Sequence, residues 1–274
     1  MNSFETKINP ELKIETVQSP EGNEASFCPE RGGIITSIKL QGKEILYLDE
    51  ETFKNKDVNV KGGIPVLFPN AGPIPDELKT DELGNLKQHG FARDSKFSQE
   101  KTQSGFKEKL TSSDETRKVY PYDFDFELEG VFEKDGSFTI IQRVENLEKD
   151  KEMPISSGLH PYFNVQSEEK KNIKFNFEGG KLVEEQIEKW ANGKAVSIPN
   201  PNTPIEIYIP NTGILRFTFS KEFKRIWIWS QEGKDFVCVE PVMRDKGGII
   251  SDPEKVKPSD KHISTINILL KKEN

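Results

Sequence analysis

The stretch FDFELEGVFEKDGSFTIIQRV, residues 124–144, contains the clearest structural signal in the chain. Phe124, Phe126 and Leu128 alternate with acidic residues, and a second alternating run begins just after Lys134-Asp135-Gly136. Side chains two apart in a strand point to the same face, and an Asp-Gly pair supplies the left-handed backbone that a tight turn needs. The stretch therefore predicts a β-hairpin with one apolar and one polar face.

Similar alternating runs recur downstream, separated by clusters of Gly, Pro, Asn and Asp, at residues 173–177, 215–219, 225–229, 236–240 and 265–270. Helical spacing of apolar residues is found at residues 181–192, which are long enough for one or two turns. Strands that are not separated by long helices argue against a parallel βαβ sheet. We therefore predict an all-β protein, either one large β-sandwich or a β-barrel, forming a single domain over residues 1–274 with at most short helices.

Composition limits the possible partners. Of the 274 residues 31% are charged, and 39 Lys and Arg against 46 Asp and Glu leave a net charge of −7. Binding nucleic acid without sequence preference needs an excess of positive charge, so we expect no nucleic-acid partner. No segment approaches the roughly 18 apolar residues that span a bilayer, and residues 1–15 contain no apolar leader segment. We expect a cytoplasmic protein with no membrane partner, in which Cys28 and Cys238 are buried free thiols.

The first segment with candidate chemistry is GGIPVLFP, residues 62–69, followed by QHGFARD, residues 88–94. Gly and Pro on both sides of an apolar run fix the backbone in an unusual path, as at the rim of a pocket. His89 and Arg93 follow in a loop among small residues. Taken alone, this pair is more typical of a loop histidine and a solvated arginine.

The second segment is SSGLHPYFN, residues 156–164. Pro161 restricts His160 to extended backbone and so gives its side chain a consistent direction. Hydroxyl, imidazole, aromatic and amide groups crowd together here without a formal charge. The segment predicts either a functional pocket or a buried histidine beside Tyr162 in the core.

The third segment is RIWIWS, residues 225–230, followed by FVCVEP, residues 236–241. Cys238 and Glu240 are two apart and share one face of a strand, as do the two tryptophans of the preceding run. Glu240 is either a pocket carboxylate or a solvated strand end. Trp229 and its partner either belong to the core or form a platform on which a sugar stacks.

His89, His160 and Glu240 together permit two unrelated chemistries. Imidazole and carboxylate groups suit acid–base catalysis at neutral pH, and the same residue types form 2-His-1-carboxylate iron sites. Such iron sites usually have closely spaced ligands, whereas these three residues are far apart in sequence, which favours acid–base catalysis. The third histidine, His262, lies in a segment rich in Lys and Asp, and we expect it on the surface.

In this order, GGIPVLFP, QHGFARD, SGLHPYF and CVEP resemble the aldose 1-epimerase (galactose mutarotase-like) family, most closely its branch of hexose-6-phosphate mutarotases. Residues 28–48 also resemble the beginning of that family. The resemblance implies a large antiparallel β-sandwich that binds a sugar on a concave face. It implies interconversion of the α and β anomers of a hexose or hexose 6-phosphate, with no metal and no redox cofactor.

The resemblance also implies roles for single residues. It makes Glu240 the general base, His160 the general acid at the ring oxygen, and His89 an auxiliary catalytic histidine that positions the substrate. The residues that it assigns to substrate binding are Lys61, Gln88, Arg93, Tyr162 and Trp229. Lys61 stands where phosphate-specific members tend to have arginine, and a lysine binds phosphate as a point charge without the guanidinium fork.

Two other functions remain open from the sequence. A non-catalytic carbohydrate-binding or regulatory protein could use the same fold, although a binder does not need both an acid and a base. An iron-dependent oxygenase would be revealed by metal analysis of the purified protein. We expect a small-molecule sugar or sugar phosphate as the ligand, and a monomer or homodimer.

Overall fold

The computed structural model describes residues 12–102 and 104–272. Residues 1–11, 103 and 273–274 are not among the described residues. The single-domain prediction for these positions therefore lies outside the described residues. The same is true of most of residues 1–15, where we predicted that there is no apolar leader segment. In the described part, the strands are β1 (Glu15–Gln18), β2 (Glu24–Cys28), β3 (Ile34–Leu40), β4 (Lys43–Glu44), β5 (Val66–Leu67), β6 (Ser98–Lys101), β7 (Gly105–Thr111), β8 (Phe124–Phe132), β9 (Phe138–Asn146), β10 (Met153–Ile155), β11 (Gly158–Leu159), β12 (Tyr162–Asn164), β13 (Lys174–Asn176), β14 (Val196–Pro199), β15 (Ile205–Ile209), β16 (Gly213–Phe219), β17 (Arg225–Trp229), β18 (Phe236–Val242), β19 (Glu254–Val256) and β20 (Lys261–Leu270).

The helices of the described part are all short, as predicted. They are α1 (Glu50–Lys54), α2 (Asp114–Arg117), α3 (Gly180–Glu185), α4 (Ile187–Trp190) and α5 (Gly248–Ser251), with 3₁₀ turns at Pro29–Arg31, Asp76–Leu78, Ala92–Asp94 and Ser167–Asn172. Within residues 12–102 and 104–272, none is long and apolar enough to cross a membrane. The helical spacing at residues 181–192 corresponds to α3 and α4.

Four antiparallel sheets make up the fold. The largest has eight strands in the order β13-β15-β16-β20-β9-β8-β7-β6, and the second has the order β14-β17-β18-β11-β5, with β12 also paired to β18. A four-stranded sheet, β1-β2-β3-β4, and a pair, β10-β19, complete the set for the described residues. The prediction of an all-β antiparallel sandwich is confirmed.

The hairpin predicted from residues 124–144 is formed by β8 and β9, which pair along their full lengths. Buried and half-exposed residues alternate strictly along both strands. At the turn, Asp135 Oδ1 accepts hydrogen bonds from the Ser137 backbone N–H at 3.0 Å and its hydroxyl at 2.6 Å. Gly136 adopts φ 83°, the left-handed conformation that glycine provides without strain.

Most of the apolar faces of the sheets pack into one main core, with three smaller apolar clusters beside it among the described residues. Phe126 and Ile140 come from the eight-stranded sheet, Ile228 and Val239 from the six-stranded sheet, and Phe27 from the four-stranded sheet. Burial of one such side chain stabilises the folded state by roughly 1.5–3 kcal/mol. The burial of Ile228 and Val239 therefore fixes which faces of β17 and β18 turn toward the interior.

Strand β18 is buried along its whole length. Val237 and Val239 face the main core, whereas Cys238 packs with Tyr162 on the opposite side. Because side chains alternate, Glu240 shares the face of Cys238. The strand therefore presents a carboxyl and a thiol group on a covered surface away from the main core, and the candidate site is built there.

Candidate active site

A cavity of about 370 Å³ lies against β17, β18 and the link between β11 and β12. Every residue assigned to the site from the sequence lines it: Lys61, Gln88, His89, Arg93, His160, Tyr162, Trp229 and Glu240. These residues come from five separate stretches of the sequence. The fold therefore brings together a set of side chains that are dispersed over 180 positions of the chain.

His160 and Glu240 are neighbours because of strand pairing. Glu240 lies on β18, and His160 lies between β11 and β12, both of which pair with β18. The Pro65 carbonyl accepts the backbone N–H of His160 at 3.1 Å. His160 Nε2 is 3.5 Å from Glu240 Oε2. Glu240 is only 2% exposed, so it is a pocket carboxyl group and not a solvated strand end.

Aromatic side chains fix the plane of the His160 ring. Tyr162 stacks on it with 4.6 Å between ring centroids and an interplanar angle of 10°. Trp229 and His89 contact it edge-on, at 5.8 Å and 5.5 Å. Nδ1 of His160 is buried and has no hydrogen-bond partner among the described residues. The ring orientation is therefore held by packing, which leaves Nε2 directed at Glu240.

Burial shifts the two titratable groups in opposite directions. It raises the pKa of Glu240 well above its usual range, and the ammonium group of Lys246 opposes this shift. It lowers the pKa of His160 well below its usual range, and His89 and Arg93 add to that effect. Both shifts favour uncharged forms. Burial therefore favours a protonated Glu240 carboxyl group beside a neutral His160 imidazole.

His89 is held in one tautomer by its backbone surroundings. The Gly72 N–H donates to its Nδ1 at 3.0 Å, so the ring keeps its hydrogen on Nε2. Nε2 of His89 is 3.1 Å from Nε2 of Gln88. With the hydrogen on His89 Nε2 both nitrogens are donors, so the Gln88 amide has to turn over before its oxygen can accept. Burial lowers the pKa of His89 to about 3. His89 is therefore a neutral hydrogen-bond donor at the cavity wall.

Three cations line the cavity, against one carboxyl group. Arg93 Nη2 donates to the Gln88 carbonyl at 2.8 Å, while its buried Nε has no partner among the described residues. Lys61 Nζ donates to Gln231 Oε1 at 3.0 Å. Lys246 is exposed and forms no ion pair within the described part of the chain. This excess of positive charge favours an anionic ligand.

A family model for aldose 1-epimerase matches residues 15–208. The chain belongs to the aldose 1-epimerase family. Among solved structures, a Synechocystis protein superposes with a TM-score of 0.82 at 26% identity, covering 95% of this chain and 96% of its own. A galactose mutarotase related enzyme from Lactobacillus acidophilus gives 0.75 at 19% identity, covering 95% and 98%. The second similarity supports the fold alone.

Two curated relatives of this family member have names that propose a glucose-6-phosphate 1-epimerase activity. The Escherichia coli protein is 30% identical over 162 residues, which cover 57% of this chain and 49% of the relative. The Cenchrus ciliaris protein is 27% identical over 178 residues, covering 57% and 51%. The chain therefore spans about half the length of the curated relatives it matches.

Two side chains that line the cavity of this aldose 1-epimerase family member, those of Trp227 and Lys246, were not assigned to the site from the sequence. Trp227 was left open between the core and a sugar-stacking platform, whereas Lys246 was missed. Trp227 lies opposite Glu240 in the register of β17 and β18. Asp245 accepts the Trp227 indole N–H at 2.9 Å and pairs with Arg225 at 2.9 Å. These contacts anchor the turn that contains Lys246. Strand alternation was a usable signal for Trp227, whereas the turn offered none for Lys246.

The prediction that His262 is a surface residue is wrong. Its side chain is 11% exposed, and its Nδ1 is 3.9 Å from Glu254 Oε1. The segment forms β20, whose pairing with β9 and proximity to Glu254 of β19 cover the ring. It does not line the cavity.

One group of side chains could hold a metal ion among the described residues. His160, Cys238 and Glu240 each offer one donor atom, and these atoms lie within 4.8 Å of one another. All three are buried. Cys238 was expected to be a buried free thiol, which it is, and no functional role was assigned to it from the sequence.

Proposed function

We propose that this chain is a mutarotase that interconverts the α and β anomers of a hexose 6-phosphate, and of free hexoses less efficiently. The observation that supports this most strongly is the separation of 3.5 Å between His160 Nε2 and Glu240 Oε2 beside the cavity. Membership of the aldose 1-epimerase family supports the reaction type.

The spacing of the pair suits the two atoms that exchange protons. In an aldose the anomeric hydroxyl O1 and the ring oxygen O5 are both bonded to C1. An acid and a base that serve them must therefore be adjacent. His160 and Glu240 can each contact one of these oxygens when C1 lies in front of the pair.

Ring opening then needs one proton acceptor and one proton donor. The Glu240 carboxylate takes the proton of O1, the O1–H electron pair becomes the second C1–O1 bond, and the C1–O5 bond breaks as O5 takes a proton from His160 Nε2. Rotation about C1–C2 presents the other face of the aldehyde, and the reverse transfers close the ring. The pair holds one proton before and after opening, so closure restores the starting state.

Burial favours the uncharged arrangement of that single proton, with a carboxylic acid beside a neutral imidazole. Transfer across the contact between the two side chains converts it into the reactive carboxylate and imidazolium. Lys246, which favours the ionised carboxyl group of Glu240, assists this conversion. General acid–base catalysis of this kind contributes roughly 10²–10⁴-fold to a rate.

His89 positions the substrate without exchanging protons. Its pKa of about 3 keeps the ring neutral, and the Gly72 N–H occupies Nδ1. Its Nε2–H faces the Gln88 side-chain amide, and a sugar oxygen on the His160 side of the cavity that displaces this amide can accept the hydrogen bond instead. A fixed donor at that point orients O5 toward His160 Nε2.

The preference for a phosphorylated sugar rests on charge. Lys61, Arg93 and Lys246 line the cavity, whereas burial favours the uncharged form of the Glu240 carboxyl group by raising its pKa. A phosphate group offers three strong acceptor oxygens and about two negative charges to these cations. Names that propose glucose-6-phosphate 1-epimerase activity for two relatives are consistent with this choice.

The test is exchange NMR of the anomeric protons of glucose 6-phosphate, glucose and galactose, each with and without the protein. The expected result is faster exchange with the protein in all three, and fastest with glucose 6-phosphate. If none is accelerated by protein whose circular dichroism is that of a folded β protein, the proposal is wrong and a carbohydrate-binding function takes its place.

A further inference from the structure

The group formed by His160, Cys238 and Glu240, here called the floor cluster, has a donor set that acid–base catalysis does not need. Mutarotation uses an imidazole and a carboxyl group, but it has no use for the thiol of Cys238. The three donor atoms nevertheless lie within 4.8 Å of one another, and all three residues are buried.

Strand geometry accounts for this convergence. Cys238 and Glu240 are two apart on β18 and therefore point to the same face. Tyr162 of β12 lies opposite Cys238 in the register, which places His160, two residues earlier, over the same face. Tyr162 then stacks on the His160 ring and holds its Nε2 toward the cluster.

We propose that the floor cluster binds a divalent cation of the zinc class, and that the bound ion blocks mutarotation. Zinc ligands lie about 2.0–2.3 Å from the metal, so donor atoms around a tetrahedral ion are separated by about 3.3–3.8 Å. His160 Nε2 and Glu240 Oε2 already have this separation, at 3.5 Å. The donor atoms of all three residues lie within 4.8 Å of one another, so a shift of about 1 Å brings the Cys238 thiol to the separation that a tetrahedral ion needs.

The donor types select the metal. One imidazole, one thiolate and one carboxylate suit zinc and cobalt, whereas magnesium and calcium prefer oxygen ligands alone. A thiolate and a carboxylate together neutralise the two positive charges of the ion. The fourth position faces the cavity that His160 and Glu240 line, where a solvent molecule or a sugar hydroxyl can complete the coordination.

Metal binding and catalysis exclude each other in this arrangement. The ion takes the lone pair of His160 Nε2 and an oxygen of Glu240, which are the atoms that exchange protons with the sugar. The inhibition therefore rests on the proposed function, but metal binding itself does not. A measurement that detects the metal directly separates the two.

Cobalt(II) provides that measurement, because a cobalt–thiolate bond gives a charge-transfer absorption that oxygen and nitrogen ligands do not give. Cobalt(II) is titrated into the wild type, Cys238→Ser and Cys28→Ser. Cys28 is the matched control, because it is the other buried free cysteine and does not belong to the floor cluster. We expect the absorption in the wild type and in Cys28→Ser, its loss in Cys238→Ser, and its removal by added zinc.

Two results would overturn the proposal: no charge-transfer absorption in the folded wild type, or an undiminished one in Cys238→Ser. If Cys238→Ser does not fold, Glu240→Gln serves instead, and a cobalt affinity equal to that of the wild type would count against the site. In exchange NMR, the zinc concentration that halves the metal-free rate should be at least about tenfold higher for Cys238→Ser than for the wild type. The loss of a residue that only supports a metal ligand already lowers metal affinity by about 10–100-fold. If the wild type has no mutarotase activity but shows the absorption, the proposed function fails and the metal site stands.

Discussion

Glu240 and Glu108 are two buried carboxyl groups in different sheets, and of these two only Glu240 lies beside a histidine and a cavity. Both are at most 2% exposed, and burial raises both pKa values well above the usual range. Glu240 on β18 contacts His160 and lines a cavity. Glu108 on β7 has no hydrogen-bond partner for either oxygen among the described residues, and Glu30 adds a like charge. Burial alone therefore raises the pKa of a carboxyl group. A carboxyl group becomes a candidate for catalysis when it also has a neighbour that can exchange a proton and a cavity that admits substrate.

The same contrast holds for the other two residue types of the floor cluster. His160 lines the cavity, whereas His262 lies on β20 of the eight-stranded sheet, with its Nδ1 3.9 Å from Glu254 Oε1. Cys238 lies with His160 in one group, whereas Cys28 lies outside it. The chain thus contains a matched control for each of the three residues of the floor cluster.

The largest effect is expected when the proton donor is removed. His160→Gln keeps a polar side chain of similar size but cannot accept and return a proton. The kcat for anomer exchange should fall by roughly 10²–10⁴-fold. The matched variant His262→Gln should keep the wild-type rate, as measured by exchange NMR. Equal rates in His160→Gln and the wild type would contradict the claim that His160 is the proton donor.

The next effect concerns stability and sharpens the comparison of the two carboxyl groups. Because the folded-state pKa of Glu108 lies above its unfolded value of 4.5, the folded chain keeps a proton that the unfolded chain releases. Stability should therefore fall as the pH rises above 4.5, by up to about 1.4 kcal/mol per pH unit for this one group. In Glu108→Gln this contribution is absent, so the free energy of unfolding of the variant should increase relative to that of the wild type as the pH rises.

Urea unfolding of both proteins between about pH 5 and pH 8 measures this difference, since contributions from all other groups cancel between them. Parallel stability curves would mean that the Glu108 carboxyl group is not perturbed by its burial. Activity should be unchanged in Glu108→Gln, because the residue does not line the cavity.

A smaller effect is expected for the cations. Lys61→Ala should lower kcat/KM for glucose 6-phosphate by about tenfold and barely change it for glucose, since a hydrogen bond to a charged group contributes about 1.5–3 kcal/mol. Lys118→Ala is the matched control, because Lys118 is exposed on the surface and pairs with Glu115. An equal loss for both sugars would show that Lys61 binds something other than phosphate.

Much of the fold was predictable, because alternation of apolar residues is a local property of the chain. The hairpin of β8 and β9 and the strand β17 lie where the sequence predicted them. The same alternation places Glu108 on the apolar face of β7, between Phe106 and Leu110, a signal that we did not use. His262 was misassigned because its ring lies beside Glu254 of β19, a different strand. The pattern of apolar residues around His262 in the sequence cannot show such a contact.

The candidate site was predictable only in part. Four motifs contain six of the eight residues assigned to the site, but spacing in sequence cannot give the distance between His160 and Glu240. That distance depends on how β11 and β12 pair with β18. Lys246 was not predicted, because its position depends on a turn anchored through Asp245.

The most direct test of the central claim compares Glu240→Gln with Glu108→Gln in exchange NMR of glucose 6-phosphate, at equal concentrations of folded protein. Both variants lose a buried carboxyl group, but only one loses the partner of His160. The prediction is exchange at the wild-type rate with Glu108→Gln and at close to the spontaneous rate with Glu240→Gln. Wild-type exchange with Glu240→Gln would contradict the claim that the pair of His160 and Glu240 performs the reaction.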